Sequence, residues 1–237
     1  MQALSMISDN HFVMEIKKAY EPSMVTALIR INGVTVGCVA NRTELYEDGN
    51  KTEDFESVLS GKGCGKAAEF INFCDAFSIP VLTIANVNGY KASLCSEKSI
   101  AKAAARLTYA YANATVPKVT VVTGKALGSA GLTMGSKSLG SDLVYAWPNA
   151  VIGTMEPDEA VKIMYAKEIE ASDDAVALIN EKAAEYAKAQ SGAMAAARRG
   201  YVDDIIKAEE TRQRLAAAFE MLYTKSEDRP SKKHGTV

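Results

Sequence analysis

An apolar strand that runs straight into small residues opening a helix is an arrangement suited to hold a developing negative charge. The sequence has one at Val122-Thr123-Gly124-Lys125-Ala126-Leu127-Gly128-Ser129-Ala130-Gly131-Leu132-Thr133-Met134. The first N–H groups of a helix have no acceptor of their own and stand at the positive end of its dipole. Small side chains let a ligand approach them, which makes Gly128, Ser129 and Ala130 a candidate oxyanion turn. The same small residues would equally serve close helix–sheet packing. A second turn, Val87-Asn88-Gly89-Tyr90, follows the apolar run Val81–Ala85. Strand ends are where α/β sheets place ligands, although a plain turn has the same composition. Two parallel neighbouring strands would bring both turns to one edge of a sheet.

Other chemistries find little support. Gly61-Lys62-Gly63-Cys64-Gly65-Lys66 resembles a phosphate loop, but that pattern needs Gly at Ser60 and Ser or Thr at Ala67. Without the hydroxyl there is no magnesium ligand, and the segment reads as a loop within the polar stretch 41–65. The two histidines, His11 and His234, lie near the start and in the terminal tail, away from any expected rigid element. A general base needs tight positioning, so a His-dependent triad is not expected. Cys38, Cys64, Cys74 and Cys95 form no C-x-x-C pair and have no neighbouring His. Three of them sit within apolar stretches and read as small buried hydrophobes, and no metal site is expected.

Composition narrows the class further. The 237 residues are 48% hydrophobic and 24% charged, with a net charge of −2. That balance excludes disorder and fibrous repeats, and it provides no positive field for nucleic acid or an anionic membrane. No apolar run approaches the length of a spanning helix. The start, Met1–Met6, lacks the basic and apolar regions of a signal peptide, which places the protein in the cytoplasm as an expectation.

The elements that must position the two turns follow from periodicity. Residues 1–22 read as an N-terminal extension with a helix and a turn at Glu21-Pro22. Met24–Ile31 and Val34–Ala40 are β-rich runs joined by Asn32-Gly33, a hairpin signal. Ala67, Phe70, Ile71 and Cys74 recur at helical spacing, as do Ile100, Ala104, Leu107 and Tyr111. Strands are expected at Val81–Ala85, Lys118–Val122, Leu143–Trp147 and Tyr201–Ile205. A last helix puts Leu215, Ala218, Phe219 and Leu222 on one face, which is expected to meet a partner surface, with packing on its own domain as the alternative. Alternating strands and helices make an α/β layered domain over 23–226, followed by a charged tail at 227–237.

Several blocks resemble a known family. Phe70-Ile71-Asn72-Phe73-Cys74-Asp75-Ala76-Phe77-Ser78-Ile79-Pro80, Tyr109–Lys118, Asp142–Pro148, Arg199–Ile206 with Glu210-Thr211-Arg212, and Lys232-Lys233-His234-Gly235 are similar to biotin-dependent acyl-CoA carboxylase carboxyltransferases. The resemblance runs from about Val25 to the terminus, covers the family's C-terminal half, and is closest to the propionyl-CoA and methylmalonyl-CoA type. It implies a crotonase-like (ClpP/crotonase) α/β fold with a helical C-terminal region, and transfer of carboxylate between biotin and an acyl-CoA without a metal. It also implies that Ser129 and Ala130, after Gly128, supply the oxyanion donors of the half that meets biotin. Gly89 corresponds to the glycine of the family's Pro-Gly-Phe turn, with Asn88 and Tyr90 beside it in place of Pro and Phe. Ser129 replaces a glycine, and Leu132 stands where the family carries an acid. Its lack of a glutamate there also argues against enoyl-CoA hydration.

The resulting expectation is a separately encoded carboxyltransferase half. Its implied partners are a CoA-binding N-terminal-half subunit, a biotin carboxyl carrier protein and further copies of itself. The alternatives are the carboxyltransferase part of a biotin-dependent decarboxylase, or a non-catalytic structural subunit of such a complex.

Overall fold

The β-rich runs and amphipathic segments assemble, in a computed structural model that describes residues 2–47 and 49–228, around one eight-stranded sheet. Chain order begins with α1 (Gln2–Ile7) and β1 (Val13–Ile16), then the antiparallel hairpin β2 (Met24–Ile31) and β3 (Val34–Asn41). The expected Asn32-Gly33 turn joins them with both residues at positive φ, 49° and 80°. A small hairpin, β4 (Glu44–Glu47) with β5 (Asn50–Asp54), leads to β6 (Val58–Leu59) and α2 (Gly61–Ala76). Next come β7 (Val81–Val87), β8 (Gly89–Tyr90), α3 (Leu94–Glu97), α4 (Ile100–Asn113), β9 (Lys118–Leu127) and α5 (Gly128–Thr133). The chain continues through β10 (Leu143–Ala146), β11 (Val151–Gly153), α6 (Pro157–Met164), α7 (Ala166–Glu170) and α8 (Ala175–Tyr186). It ends with α9 (Ala193–Arg198), β12 (Asp204–Ile205) and α10 (Thr211–Met221).

The sheet runs β1-β2-β3-β7-β9-β10-β12, with β11 alongside β9. From β3 onward every pairing is parallel, because each return is made by a helical crossover. The strand core is apolar on both faces, as a covered parallel sheet requires. One face packs against α2, α4 and α9 through Phe70, Ile71, Leu107, Tyr111 and Ala196. The other is covered by α1 and α10 through Leu4, Ile7, Leu215 and Phe219.

Three expectations change here. Gly61–Lys66 is not a loop but the opening of α2. Ser60 caps it, its Oγ accepting from the Gly63 N–H at 2.9 Å, so the glycines are the first turn of a helix. The start of the chain is part of the packed unit, since β1 pairs with β2 and Leu4 and Ile7 are buried. Finally, Leu215, Ala218 and Phe219 are 0%, 2% and 6% exposed against the chain's own sheet, so that face needs no partner. The segment 229–237, with His234, lies outside the described residues.

The blocks that carried the resemblance do structural work at the ends of strands. Asp75 Oδ1 accepts from the main-chain N–H groups of Thr115 (2.7 Å) and Val116 (3.2 Å), fixing the turn before β9. Lys118, 2% exposed, donates from Nζ to the Tyr111 and Ala114 carbonyls, closing the C-terminus of α4.

Two stability predictions follow from these contacts. Ser60→Ala removes the α2 cap and should cost about 1 kcal/mol, read as a thermal midpoint lower by roughly 2–4 °C. Lys66 is also buried, donating from Nζ to the Tyr20 and Met24 carbonyls at 2.7 and 2.6 Å, and burial lowers its pKa from 10.5 to about 8. Between about pH 8 and 10.5 the unfolded chain therefore binds more protons at this site than the folded one, and stability from Lys66 rises with pH across that window. Denaturant unfolding at pH 8 and pH 10 should show this rise, and Lys66→Met should lack it.

Candidate active site

The parallel pairing of β7 and β9 matches Ala85 with Val122 and Val87 with Ala126, so the two turns open on the same edge of the sheet. Asparagines stitch that edge. Asn41 Oδ1 accepts from the Asn86 N–H at 2.9 Å, the Asn41 amide donates to the Asn86 carbonyl, and Asn86 Oδ1 accepts from the Lys125 N–H at 3.0 Å. Gly124 lies under this ladder, where a Cβ would fall 2.4 Å from Asn86 Oδ1.

Past the ladder, β9 becomes α5. Leu127 is extended (φ −109°, ψ 141°), Gly128 takes φ +58°, and the helix begins at once. That left-handed glycine makes the sharp reversal that a residue with a Cβ would resist. Among the described residues no acceptor is found for the N–H groups of Ser129 or Ala130. The packing role is present too, carried by Gly131, whose Cβ would fall 2.5 Å from the Ala126 carbonyl carbon. One turn therefore does both things, with Gly131 pressed on the strand and Ser129 exposed at the mouth.

The second turn has a different task. The Asn88 N–H donates to the Ser57 carbonyl (2.7 Å) and the Lys91 N–H to the Leu59 carbonyl (2.9 Å), zipping Gly89–Tyr90 onto β6. The Tyr90 hydroxyl meets Thr133 Oγ1 at 2.9 Å, and Thr133 Oγ1 donates to the Ser129 carbonyl at 2.8 Å. Tyr90 thus braces α5 from the neighbouring strand end, while Asn88 is exposed and Gly89 has open space around it.

Beside α5 lies a cavity of about 540 Å³, within the range of small-molecule sites. Its floor is apolar, made by Ala85, Val122, Ala126, Met134 and Val144. Gly128, Ser129 and Leu132 line the side of the turn, whereas Asn88, Gly89, Tyr90 and Ala130 do not line it. Leu132 is 51% exposed, an apolar side chain at the mouth. Gly153, Thr154, Tyr186, Gln190, Arg199 and Tyr201 complete the rim. No motif in the sequence marks these six as site residues. Tyr186 ends α8, Gln190 lies in the π-helical turn Ala187–Ser191, and Arg199 and Tyr201 follow α9, so no single periodic segment brings them together.

Two lysines near the turn, Lys137 and Lys125, are already ion-paired. Lys137 Nζ donates to both carboxylate oxygens of Asp203 at 2.8 Å, and Lys125 meets Glu156 at 2.5 Å. No buried thiolate is available either, since burial pushes Cys64 and Cys74 up to about 12 and raises Cys38 as well. His11 Nδ1 is occupied by the Ser5 carbonyl at 3.1 Å. Among the described residues no group of three His, Cys, Asp or Glu could hold a metal. What the arrangement offers is main-chain N–H donors over an apolar cavity.

The family profile described as "Carboxyl transferase domain" matches residues 2–237. The chain is 43% identical over 227 residues to the methylmalonyl-CoA carboxyltransferase 12S subunit of Propionibacterium freudenreichii, covering 94% of this chain and 41% of that protein. It is 44% identical to a putative propionyl-CoA carboxylase beta chain of Bacillus subtilis, covering 98% and 44%. It is also 41% identical to methylmalonyl-CoA decarboxylase subunit alpha of Propionigenium modestum, covering 99% and 44%. A solved transcarboxylase 12S structure, described as a hexamer assembly with methylmalonyl-coenzyme A bound, superposes with TM-score 0.90 at 41% identity, over 99% of this chain and 44% of that one. The beta subunit of Pseudomonas aeruginosa geranyl-CoA carboxylase shares the fold at TM-score 0.78. The architecture is the crotonase-like one that the resemblance implied. The chain spans about two fifths of the length of these relatives.

Proposed function

Because the chain belongs to the carboxyl transferase domain family, we propose that it is the biotin-facing half of a biotin-dependent acyl-CoA carboxyltransferase, working with a CoA-binding half. The observation that carries this reading is the Gly128–Ala130 turn, with two N–H groups for which no acceptor is found among the described residues, beside a cavity of about 540 Å³. A fused bicyclic urea on an aliphatic arm is uncharged and mostly apolar, which fits an apolar floor with donors at its rim. When bound, biotin supplies a ureido nitrogen that carries the carboxylate.

The chain's own part is to bind and to stabilise charge. Ser129 and Ala130 donate main-chain N–H groups to an oxygen that gains negative charge during transfer, at no cost of reorganisation. Leu132 and the apolar floor exclude water from that oxygen, which strengthens the same donors. Tyr90, through Thr133, holds the helix that carries them. No side-chain base is required, consistent with the pairing of Lys125 and Lys137. The same donors serve carboxylation and decarboxylation, and relatives with names of both kinds are similar to the chain.

Carboxylate exchange between methylmalonyl-CoA and a biotinyl carrier tests the reading. The chain alone should show none, and adding a CoA-binding half should establish it. Robust decarboxylation by this chain alone with free biotin would overturn the shared site. Equal turnover of the assembly without this chain would favour a structural subunit.

We also propose self-association, as in the hexameric relative, but through surfaces other than the Leu215 face. Ile163 (69% exposed), Met164 (63%) and Val176 (69%) on α6 and α8 are candidates for that contact. Light scattering at micromolar concentration should report a mass above one chain. The three buried thiols, free of disulfides, suit a reducing compartment such as the cytoplasm.

A further inference from the structure

Arg199 and Gln190 meet at the rim of the cavity in a two-point grip. Arg199 Nη1 donates to the Gln190 main-chain carbonyl at 2.7 Å, and Nη2 donates to Gln190 Oε1. Gln190 belongs to the π-helical turn Ala187–Ser191, where the widened backbone breaks the regular i to i+4 pattern. The guanidinium fork therefore fixes both the backbone and the side chain of one residue. With Oε1 turned to the guanidinium, the NH2 group is the donor the side chain presents elsewhere, and no acceptor is found for it among the described residues. Both residues line the cavity that also holds Gly128 and Ser129. Both are exposed, so the contact adds little to stability, yet it sets the direction of an amide donor at a ligand-sized opening.

We propose that Arg199 is a positioning residue that orients Gln190 to donate a hydrogen bond to the urea oxygen of a biotinyl group in this cavity. The inference rests on the biotin-facing reading given above. A urea oxygen has two lone-pair directions, so it can accept from Gln190 and from the Ser129–Ala130 turn together. The chemistry that this wall selects is a neutral carbonyl acceptor. A guanidinium analogue of the same shape offers donors instead and would face the amide NH2 unfavourably.

The whole chain, labelled with ¹⁵N, is titrated with biotinamide and with 2-iminobiotin amide, in which the urea oxygen is replaced by a protonated imino group. The Gln190 side-chain NH2 resonance should shift with biotinamide and much less with the imino probe. Wild-type protein should prefer biotinamide. Arg199→Lys keeps the charge but loses the fork, and should reduce that preference about three- to tenfold, the worth of one hydrogen bond. Its thermal midpoint should not change. Gln190→Glu should move the preference toward the imino probe, because a carboxylate accepts from a guanidinium. If both variants keep the wild-type preference while both probes bind, the grip only fastens the π-turn and the proposal is wrong, with the biotin-facing reading intact. If folded wild-type chain binds neither probe at millimolar concentration, the biotin-facing reading fails and this inference falls with it.

Discussion

Ala130→Pro should lower carboxylate transfer by the reconstituted assembly about 10²–10³-fold, or roughly 3–4 kcal/mol of transition-state stabilisation. Ala130 stands in the first turn of α5, where no acceptor for its N–H is found among the described residues, so proline there deletes a donor without deleting a helical hydrogen bond. The ring also disfavours the helical conformation of the preceding Ser129, which turns the second donor away. Ser129→Gly is the matched comparison. Its side chain is exposed while its N–H is the functional group, so this change should leave turnover within a few-fold of wild type. Circular dichroism and thermal midpoints verify that both variants are folded. A folded Ala130→Pro assembly with unchanged transfer would remove the turn from the mechanism and favour a structural subunit.

The turn was legible in the sequence because everything that makes it is local. An apolar strand, a glycine and two small residues lie in unbroken order, and strand–helix alternation alone implies which edge they occupy. The apolar helix faces and the buried cysteines were legible for the same reason. Gly61–Lys66 reads as a loop in the sequence because glycines weaken a helix on average, while the Ser60 cap that starts this helix shows only once Gly63 is placed beside it. The Leu215–Phe219 stripe reads the same whether it meets its own sheet or another chain, and only packing decides. β1 and β11, of four and three residues, are too short for alternation to stand out. Most of the rim was invisible, since Gln190 and Arg199 are nine positions apart across a π-turn and a short helix. The Asn41–Asn86 pairing spans 45 positions and has no sequence signature at all.

The largest loss of stability is expected at a glycine beyond the helix that carries the donors. Gly135 has φ +67°, and a Cβ there would lie 3.0 Å from the Tyr111 ring and 3.1 Å from the hydroxyls of both Thr83 and Thr120. Those three side chains are 1%, 1% and 2% exposed, so none can move into solvent. They are also held to one another and to the glycine. The Tyr111 hydroxyl meets Thr83 Oγ1 at 2.8 Å, and the Gly135 carbonyl accepts from Thr120 Oγ1 at 2.5 Å and from Ser141 Oγ at 2.7 Å. Gly135→Val combines left-handed strain of about 1–2 kcal/mol with overpacking of about 1–3 kcal/mol. A β-branched residue is the least tolerant of that backbone. The sum, about 4 kcal/mol, corresponds to a thermal midpoint lower by roughly 10 °C. Gly33 separates the two causes, because it has φ +80° but nothing within 4 Å of its Cβ position. Gly33→Ala should therefore show strain alone, about 1 kcal/mol. Gly135→Ala should exceed it, because the added methyl meets buried neighbours that cannot yield. Equal losses for the two alanine variants would mean that the Tyr111–Thr83–Thr120 cluster gives way, and that the close approach at Gly135 does not fix the exit of α5.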